Sequence, residues 1–202
     1  MPRLFTGLEL PRDVVGHLSG LRAGLSGASW IDAENYHITL RFVGDITDAQ
    51  ANDFADALAD IRFESFDAAI SGLGSFGGNK PRSLWAGVKP SPALETLQRA
   101  HERAARVAGL PPEPRNFTPH VTLARLRNVS PFAAADYLAR HGGFACDPFT
   151  VSRFVLFSSR PNQGGGPYIV EEAYSAWDAH FADDEDAAFH VHGSVFPSTQ
   201  SR

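Results

Sequence analysis

The chain has 202 residues, 43% of them hydrophobic and 20% charged, with 15 Phe and a single cysteine. That balance suits one domain, or one domain of two lobes, and excludes collagen-like, coiled-coil and wholly disordered chains. Cys146 alone excludes an intrachain disulfide and fits a reducing cytoplasm, and a net charge of −5 argues against a long duplex-binding surface.

The first strand is expected from Arg3 to Leu10. Glu9 and Pro11 interrupt the N-terminus before any signal-like apolar run develops. No segment reaches the ~20 apolar residues of a membrane span, so a cytoplasmic protein without membrane contact is expected. Pro11 opens a helix with the stripe Val14, Leu18, Leu21, Leu25. A strand over Tyr36 to Val43 follows, and Thr47 with Gln50 reads as a capping box before the stripe Ala51, Phe54, Leu58. Strands are expected at 64–71 and 83–89, with Gly72 to Asn79 as the loop between them.

The second half repeats this grammar. Ser91-Pro92 caps a helix with the stripe Leu94, Leu97, Ala104, Ala108. A proline-rich bend, Leu110 to Pro114, leads to a strand at about 119–126. Ser130-Pro131 opens a short helix to about Ala139. Strands near 149–158 and 168–175 close the unit, joined by a loop holding Gly164-Gly165-Gly166. The expected architecture is α+β: two related lobes with sheets facing a groove and amphipathic helices outside. The domain is expected to run from 1 to 177, with 178–202 an acidic, loosely ordered extension.

Charge is unevenly spread. Residues 178–202 hold five acids and one base, which leaves 17 bases and 18 acids before them. Residues 79–127 hold nine Lys/Arg and three Glu, an excess that could steer an anionic substrate or a short nucleic-acid segment.

The chemistry rests on His37-Ile38-Thr39-Leu40 and His120-Val121-Thr122-Leu123. Eight histidines and eight threonines in 202 positions give about 0.3 His-x-Thr pairs by chance, yet two occur, 83 positions apart, each with a β-branched residue between and Leu after. On a strand, His and Thr share one face while Ile38 and Leu40, or Val121 and Leu123, fill a core on the other. Imidazole can take or give a proton near neutral pH, and a threonine hydroxyl can hold a phosphate oxygen. Two such pairs meet the needs of phosphodiester cleavage: one histidine as base, the other as acid, with a bell-shaped pH dependence. The residues alone do not say which histidine is which.

Other histidines read as structural or surface groups: His17, His101, His141 and His180. His190 and His192 alternate beside acidic residues and read as solvated tail. No His-Glu-x-x-His or CxxC is present, so no metal site is demanded. Gly72 to Ser83 is not a phosphate-binding loop of the P-loop type, because Asn79 separates its glycines from Lys80 and Pro81 stands where Ser or Thr is required. No nucleotide cofactor is expected there, although Lys80 and Arg82 could serve an oligonucleotide.

Together with Arg3-Leu4-Phe5, the run Glu34 to Gly44, Pro81 to Val88 and Phe117-Thr118-Pro119-His120-Val121-Thr122-Leu123-Ala124-Arg125, these motifs resemble the 2H phosphoesterase superfamily. The resemblance is specifically to bacterial and archaeal RNA 2′,3′-cyclic phosphodiesterases, once described as 2′-5′ RNA ligases. It implies a bilobal fold with antiparallel sheets lining a central cleft, and metal-independent hydrolysis of RNA 2′,3′-cyclic ends to 2′-phosphates. It implies His120 as the base for water, His37 as the acid for the 3′ oxygen, and Thr39 and Thr122 on phosphate oxygens. Arg125 matches a family arginine near the phosphate, but simple alternation turns it away from the His120 face unless the strand bulges. Arg41 lies on the His37 face by the same rule, and Phe5 is a candidate to stack on a terminal base. A monomer acting on an RNA end, without cofactor, is expected. The alternatives are a hydrolase of another small cyclic or 2′,5′-phosphodiester, and a non-catalytic RNA-end-binding module.

Overall fold

The computed structural model describes residues 3–159 and 167–178. Strand β1 (Arg3–Glu9) leads to helix α1 (Arg12–Ser19), strand β2 (Ala28–Trp30), a 3-10 turn at Ala33–Asn35 and strand β3 (His37–Asp45). Helix α2 (Asp48–Ala59), strands β4 (Phe66–Ala68), β5 (Ile70–Phe76) and β6 (Ser83–Val88), and helix α3 (Pro92–Val107) follow. The second motif strand β7 (His120–Leu126), helix α4 (Pro131–Arg140) and strands β8 (Phe149–Val151), β9 (Arg153–Ser159) and β10 (Tyr168–Ser175) complete the fold.

Local chemistry starts the helices where the sequence signals them. Thr47 Oγ1 accepts the Gln50 backbone N–H at 3.2 Å, and Gln50 Oε1 accepts the Thr47 N–H at 3.2 Å, a reciprocal cap on α2. Ser91 Oγ accepts the Leu94 N–H on α3, and Ser130 Oγ the Ala133 N–H on α4, each with proline at the first helical turn. Each cap stabilises by about 1 kcal/mol. The stripes Ala51, Phe54, Leu58 and Leu94, Leu97, Ala104 are buried, and every large side chain among them contributes roughly 1.5–3 kcal/mol of apolar burial. Alpha1 is shorter than its stripe predicts: it ends at Ser19, and Leu21 and Leu25 reach the core from turns. Gly20 closes it, and Gly24 and Gly27 take positive φ, so the chain turns instead of winding on.

The sheet runs β10-β9-β1-β3-β7-β6-β5, antiparallel throughout, with β2 also paired to β7. The two lobes are therefore halves of one sheet. Their shared seam is a single register pair, Ile38 opposite Val121. Beyond it β3 and β7 part, and β2 takes over the β7 edge with Trp30 opposite Ala124 and an Ile31 N–H to Leu123 carbonyl bond of 2.9 Å. The cleft opens where the motif strands diverge. Helix α3 covers the far face of β3 and packs on α2, while α4 lies near β5.

Three further expectations change. The strand expected at 149–158 breaks at Ser152: β8 pairs with β4 in a separate ribbon, and β9 joins β1. Beta5 continues through the segment expected to be a loop, ending at Phe76. Its glycines look like loop residues but serve close packing: a Cβ on Gly74 would lie 2.2 Å from the Trp85 ring, and Gly72 has φ +74 where the β5–β6 register shifts. Beta2, three residues long, carries too little pattern to be predicted. The 164–166 glycines, His180, His190, His192 and the acidic extension lie outside the described residues, apart from Asp178, whose carboxylate accepts the Ser65 N–H at 2.9 Å and the Ser65 hydroxyl.

Candidate active site

Beta3 and β7 present their motifs on one face. Ile38, Leu40, Val121 and Leu123 are buried in the core, and His37, Thr39, His120 and Thr122 are partly exposed on the opposite side. Because Ile38 faces Val121 in an antiparallel pair, His37 lies across from Thr122 and Thr39 across from His120. Each imidazole thus has a threonine of its own strand and one of the neighbouring strand beside it. His37, Thr39, Thr122 and Arg125 line one cleft of about 230 Å³ together with Phe5, Asn35, Phe42 and Tyr168, and His120, across from Thr39, is near enough for its charge to act on His37.

Both imidazoles are held alike. His37 Nδ1 contacts the Asn35 carbonyl at 2.8 Å, and His120 Nδ1 contacts the Thr118 carbonyl at 2.6 Å. A carbonyl can only accept, so Nδ1 carries the hydrogen in each and Nε2 is left for chemistry. His37 Nε2 is 3.0 Å from Thr39 Oγ1. Burial pushes the His37 imidazole down to about 4, against the Asn35 carbonyl bond that favours its charge, and His120 lowers it further. Burial also lowers His120, opposed by its Thr118 bond and aided by the positive charge of Arg115. Both shifts favour the neutral ring.

Each motif strand bulges at the same place. Opposite β1, Thr6 pairs with Arg41 and Gly7 with Thr39, skipping Leu40; opposite β6, Leu84 pairs with Ala124 and Trp85 with Thr122, skipping Leu123. The extra residue reverses the alternation downstream. In β7 this brings Arg125 onto the cleft face, as the resemblance requires. In β3 it has the opposite effect on Arg41, which leaves the His37 face and is 5% exposed. Its Nε lies 2.7 Å from Glu102 of α3, a second nitrogen lies 3.8 Å from Glu113, and it donates to the Phe42 and Pro111 carbonyls. Arg41 ties β3 to the outer layer; it is not a phosphate ligand in the cleft. Phe42 takes the cleft position instead, 43% exposed.

Phe5 is also reassigned. It is only 4% exposed, with its ring centroid 4.8 Å from His37, 4.9 Å from Phe157 and 4.9 Å from Tyr168. It lines the cleft with little surface left for a base to cover, and it is the apolar backing that desolvates His37. Gly7 allows this approach, since a Cβ there would sit 2.8 Å from the Ile38 carbonyl and 3.5 Å from the His37 ring. Around His120, Phe76 and Trp85 lie at 5.0 and 6.0 Å. Phe76 remains 39% exposed.

Sequence reasoning missed Asn35, Phe42, Tyr168, Phe76 and Trp85. Asn35 is buried, and besides its carbonyl on His37 its Oδ1 accepts the Tyr168 N–H at 3.1 Å, drawing β10 against the cleft. The spacing Asn35-x-His37, two residues before the motif as Thr118 is before His120, was a usable signal. Phe42 and Trp85 stood within the runs Glu34 to Gly44 and Pro81 to Val88 that carry the resemblance, whereas nothing in the sequence marked Phe76 among 15 Phe or Tyr168.

The model of the LigT-like phosphoesterases matches residues 8–85 and 88–168, which takes in both motif strands. The chain belongs to that family. Among its relatives is the RNA 2′,3′-cyclic phosphodiesterase of Aeropyrum pernix, 36% identical over 136 residues, covering 64% of this chain and 77% of the relative. The Aquifex aeolicus protein of the same name is 33% identical over 153 residues, covering 72% of this chain and 80% of its own. In fold, the chain resembles TT0787 of Thermus thermophilus (TM-score 0.71, 23% identity, covering 86% of this chain and 97% of that one). Escherichia coli LigT complexed with 3′-AMP is similar too (TM-score 0.70, 22% identity, covering 88% and 99%). The α+β fold expected from the motifs is the family's fold.

Proposed function

We propose that this LigT-like phosphoesterase hydrolyses the 2′,3′-cyclic phosphate at RNA 3′ ends to a 2′-phosphomonoester, with His37 and His120 as an acid–base pair. The observation that carries the reading is the matched setting of the two rings: each Nδ1–H held by the carbonyl two residues back, each Nε2 left for the substrate, on strands adjacent at the cleft. The names of the Aeropyrum and Aquifex relatives supply the substrate class.

The cyclic phosphate sits between the rings, its nonbridging oxygens taking hydrogen bonds from Thr39 and Thr122 and charge from Arg125. Neutral His120 accepts a proton from water through Nε2 as the water oxygen bonds to phosphorus. The bond from phosphorus to the 3′ oxygen breaks, its electron pair stays on that oxygen, and His37 Nε2–H protonates it. One water is added, a 2′-phosphate and a free 3′ hydroxyl result, and proton exchange between the rings and solvent resets the pair. Burial holds His37 neutral near pH 7, so it must gain its proton with the substrate. The anionic diester beside a desolvated imidazole supplies the attraction that raises it.

The test is an oligoribonucleotide with a 2′,3′-cyclic end incubated with the protein in EDTA, with 2′- and 3′-phosphate products resolved. Only 2′-phosphate is expected. A 3′-phosphate product overturns the role of His37, and absence of turnover on this and on cyclic mononucleotides overturns the function. Tight end-binding without turnover, surviving replacement of both histidines by alanine, would identify a binding module instead.

A further inference from the structure

Seven of the described arginines sit beside a carboxylate: Arg3 by Asp45, Arg22 by Asp32, Arg41 by Glu102, Arg99 by Glu95, Arg115 by Glu113, Arg140 by Asp136 and Arg153 by Glu9. Of the cations without such a carboxylate, Lys80, Arg82 and Arg127 lie together. All three are exposed, and among the described residues none has an acidic or hydrogen-bonding side-chain partner. They line one open groove of about 570 Å³, between the tip of the β5–β6 hairpin and the end of β7, whose other walls carry no acid.

Strand β7 carries Arg125 into the cleft and ends at Leu126, and the groove begins at that same strand end, with Leu126 and Arg127 in its wall. From Thr122 to Arg127 that is about 17 Å at a strand's rise of roughly 3.3 Å per residue. The groove's backbone is braced. The Leu126 N–H bonds the Arg82 carbonyl at 2.8 Å, the Arg127 N–H bonds the Gly27 carbonyl at 3.0 Å, and the Lys80 N–H closes the hairpin turn on the Gly77 carbonyl at 2.9 Å. Gly77, at φ +110, is the residue that permits this turn, because a Cβ there would meet the Lys80 carbonyl at 2.2 Å.

A cyclic phosphate terminates the 3′ end of its RNA, so every other phosphate of the substrate lies on the 5′ side and must leave the cleft by one route. We propose that Lys80, Arg82 and Arg127 form a track for the single-stranded RNA upstream of the reacting end, making the enzyme select oligoribonucleotides over cyclic mononucleotides. This rests on the cyclic-phosphodiesterase reading of the cleft. The contacts are to phosphates and therefore indifferent to sequence.

The test compares wild type, the variant Lys80→Gln/Arg82→Gln/Arg127→Gln and a control, Arg103→Gln/Arg106→Gln, which removes exposed positive charge from α3 behind the sheet. Substrates are a 2′,3′-cyclic mononucleotide and a hexaribonucleotide with the same end, across a range of salt. The triple variant is expected to lose on the order of tenfold in kcat/KM on the hexaribonucleotide at low salt. Its log–log salt slope should become shallower by about 2, from a slope of roughly 0.7 per phosphate contact on single strands. Its mononucleotide activity should stay at the wild-type value, which also reports that it folds. The control should behave as wild type. The track is overturned if the triple variant keeps its hexaribonucleotide kcat/KM, or if the control loses as much. If wild type turns over neither substrate, the underlying reading of the cleft has failed instead.

Discussion

The paired bulges predict that two arginines exchange the roles that simple strand alternation would assign. Arg41→Ala removes one partner of a buried ion-pair cluster, leaving Glu102 and Glu113 and the carbonyls of Phe42 and Pro111 to rehydrate. The two glutamates keep side-chain exposures of 22% and 18%, so solvent recovers part of the loss and the cost falls at the lower end for a buried pair, about 3 kcal/mol. In a chain of this size that lowers Tm by about 6–12 °C. Arg125→Ala removes an exposed side chain with no internal partner among the described residues, so Tm should barely move, while on the proposed mechanism it takes away one charge-assisted bond to the phosphate. That bond contributes about 1.5–3 kcal/mol, or on the order of 10- to 100-fold in kcat/KM. Thermal unfolding by circular dichroism and steady-state hydrolysis of a cyclic-end oligoribonucleotide, measured on both variants below the lower Tm, read the two effects separately. If Arg41→Ala retained its Tm and lost kcat/KM while Arg125→Ala did the reverse, the bulges would not be where the register places them.

Replacing either His37 or His120 by alanine should lower kcat by about 10²- to 10⁴-fold, and replacing both should cost little more than one, because the rings act as a unit. The kcat/KM pH profile reads the free enzyme: its acid limb is protonation of the base, its alkaline limb deprotonation of the acid, and its optimum lies midway between the two. With His37 pushed down to about 4 and His120 also lowered, the optimum should fall on the acid side of 6.5. The alkaline limb of kcat should lie at higher pH, since bound phosphate raises the acid; an optimum of kcat/KM above 7 would contradict this desolvation argument. Gly74→Ala puts a methyl 2.2 Å from the Trp85 ring, which must move, and Trp85 lies against His120. Hydrolysis should drop at least tenfold by way of that displacement, while the more distant cap variant Thr47→Ala should cost about 1 kcal/mol of stability and leave kcat/KM unchanged.

What was legible in the sequence was what obeys a period. His37, Thr39, His120 and Thr122 share faces because strands alternate, and the stripes of α2 and α3 are buried because helices repeat every 3.6 residues. A bulge is one residue that breaks the period, and its only local mark here is Leu followed by Arg41 or by Ala124. Alternation therefore misplaced Arg41, and Arg125 needed the family resemblance to bring it in. Phe5 was misjudged for a different reason: whether an aromatic ring is open to a base depends on Phe157 and Tyr168, more than 150 residues away in the chain. The glycines of β5 read as a loop because their reason, the Trp85 ring lying over Gly74, is also a tertiary contact.

The proposed mechanism needs both imidazoles to meet one phosphate. Its most direct test is an NMR titration of the His37 and His120 ring resonances, with and without a nucleoside 2′-phosphate. Without it, His37 should titrate near 4 and His120 below 6.5. With it, both should shift upward together, His37 the more strongly because it is the more desolvated. A ligand that moves one ring and leaves the other where it was would contradict the shared site.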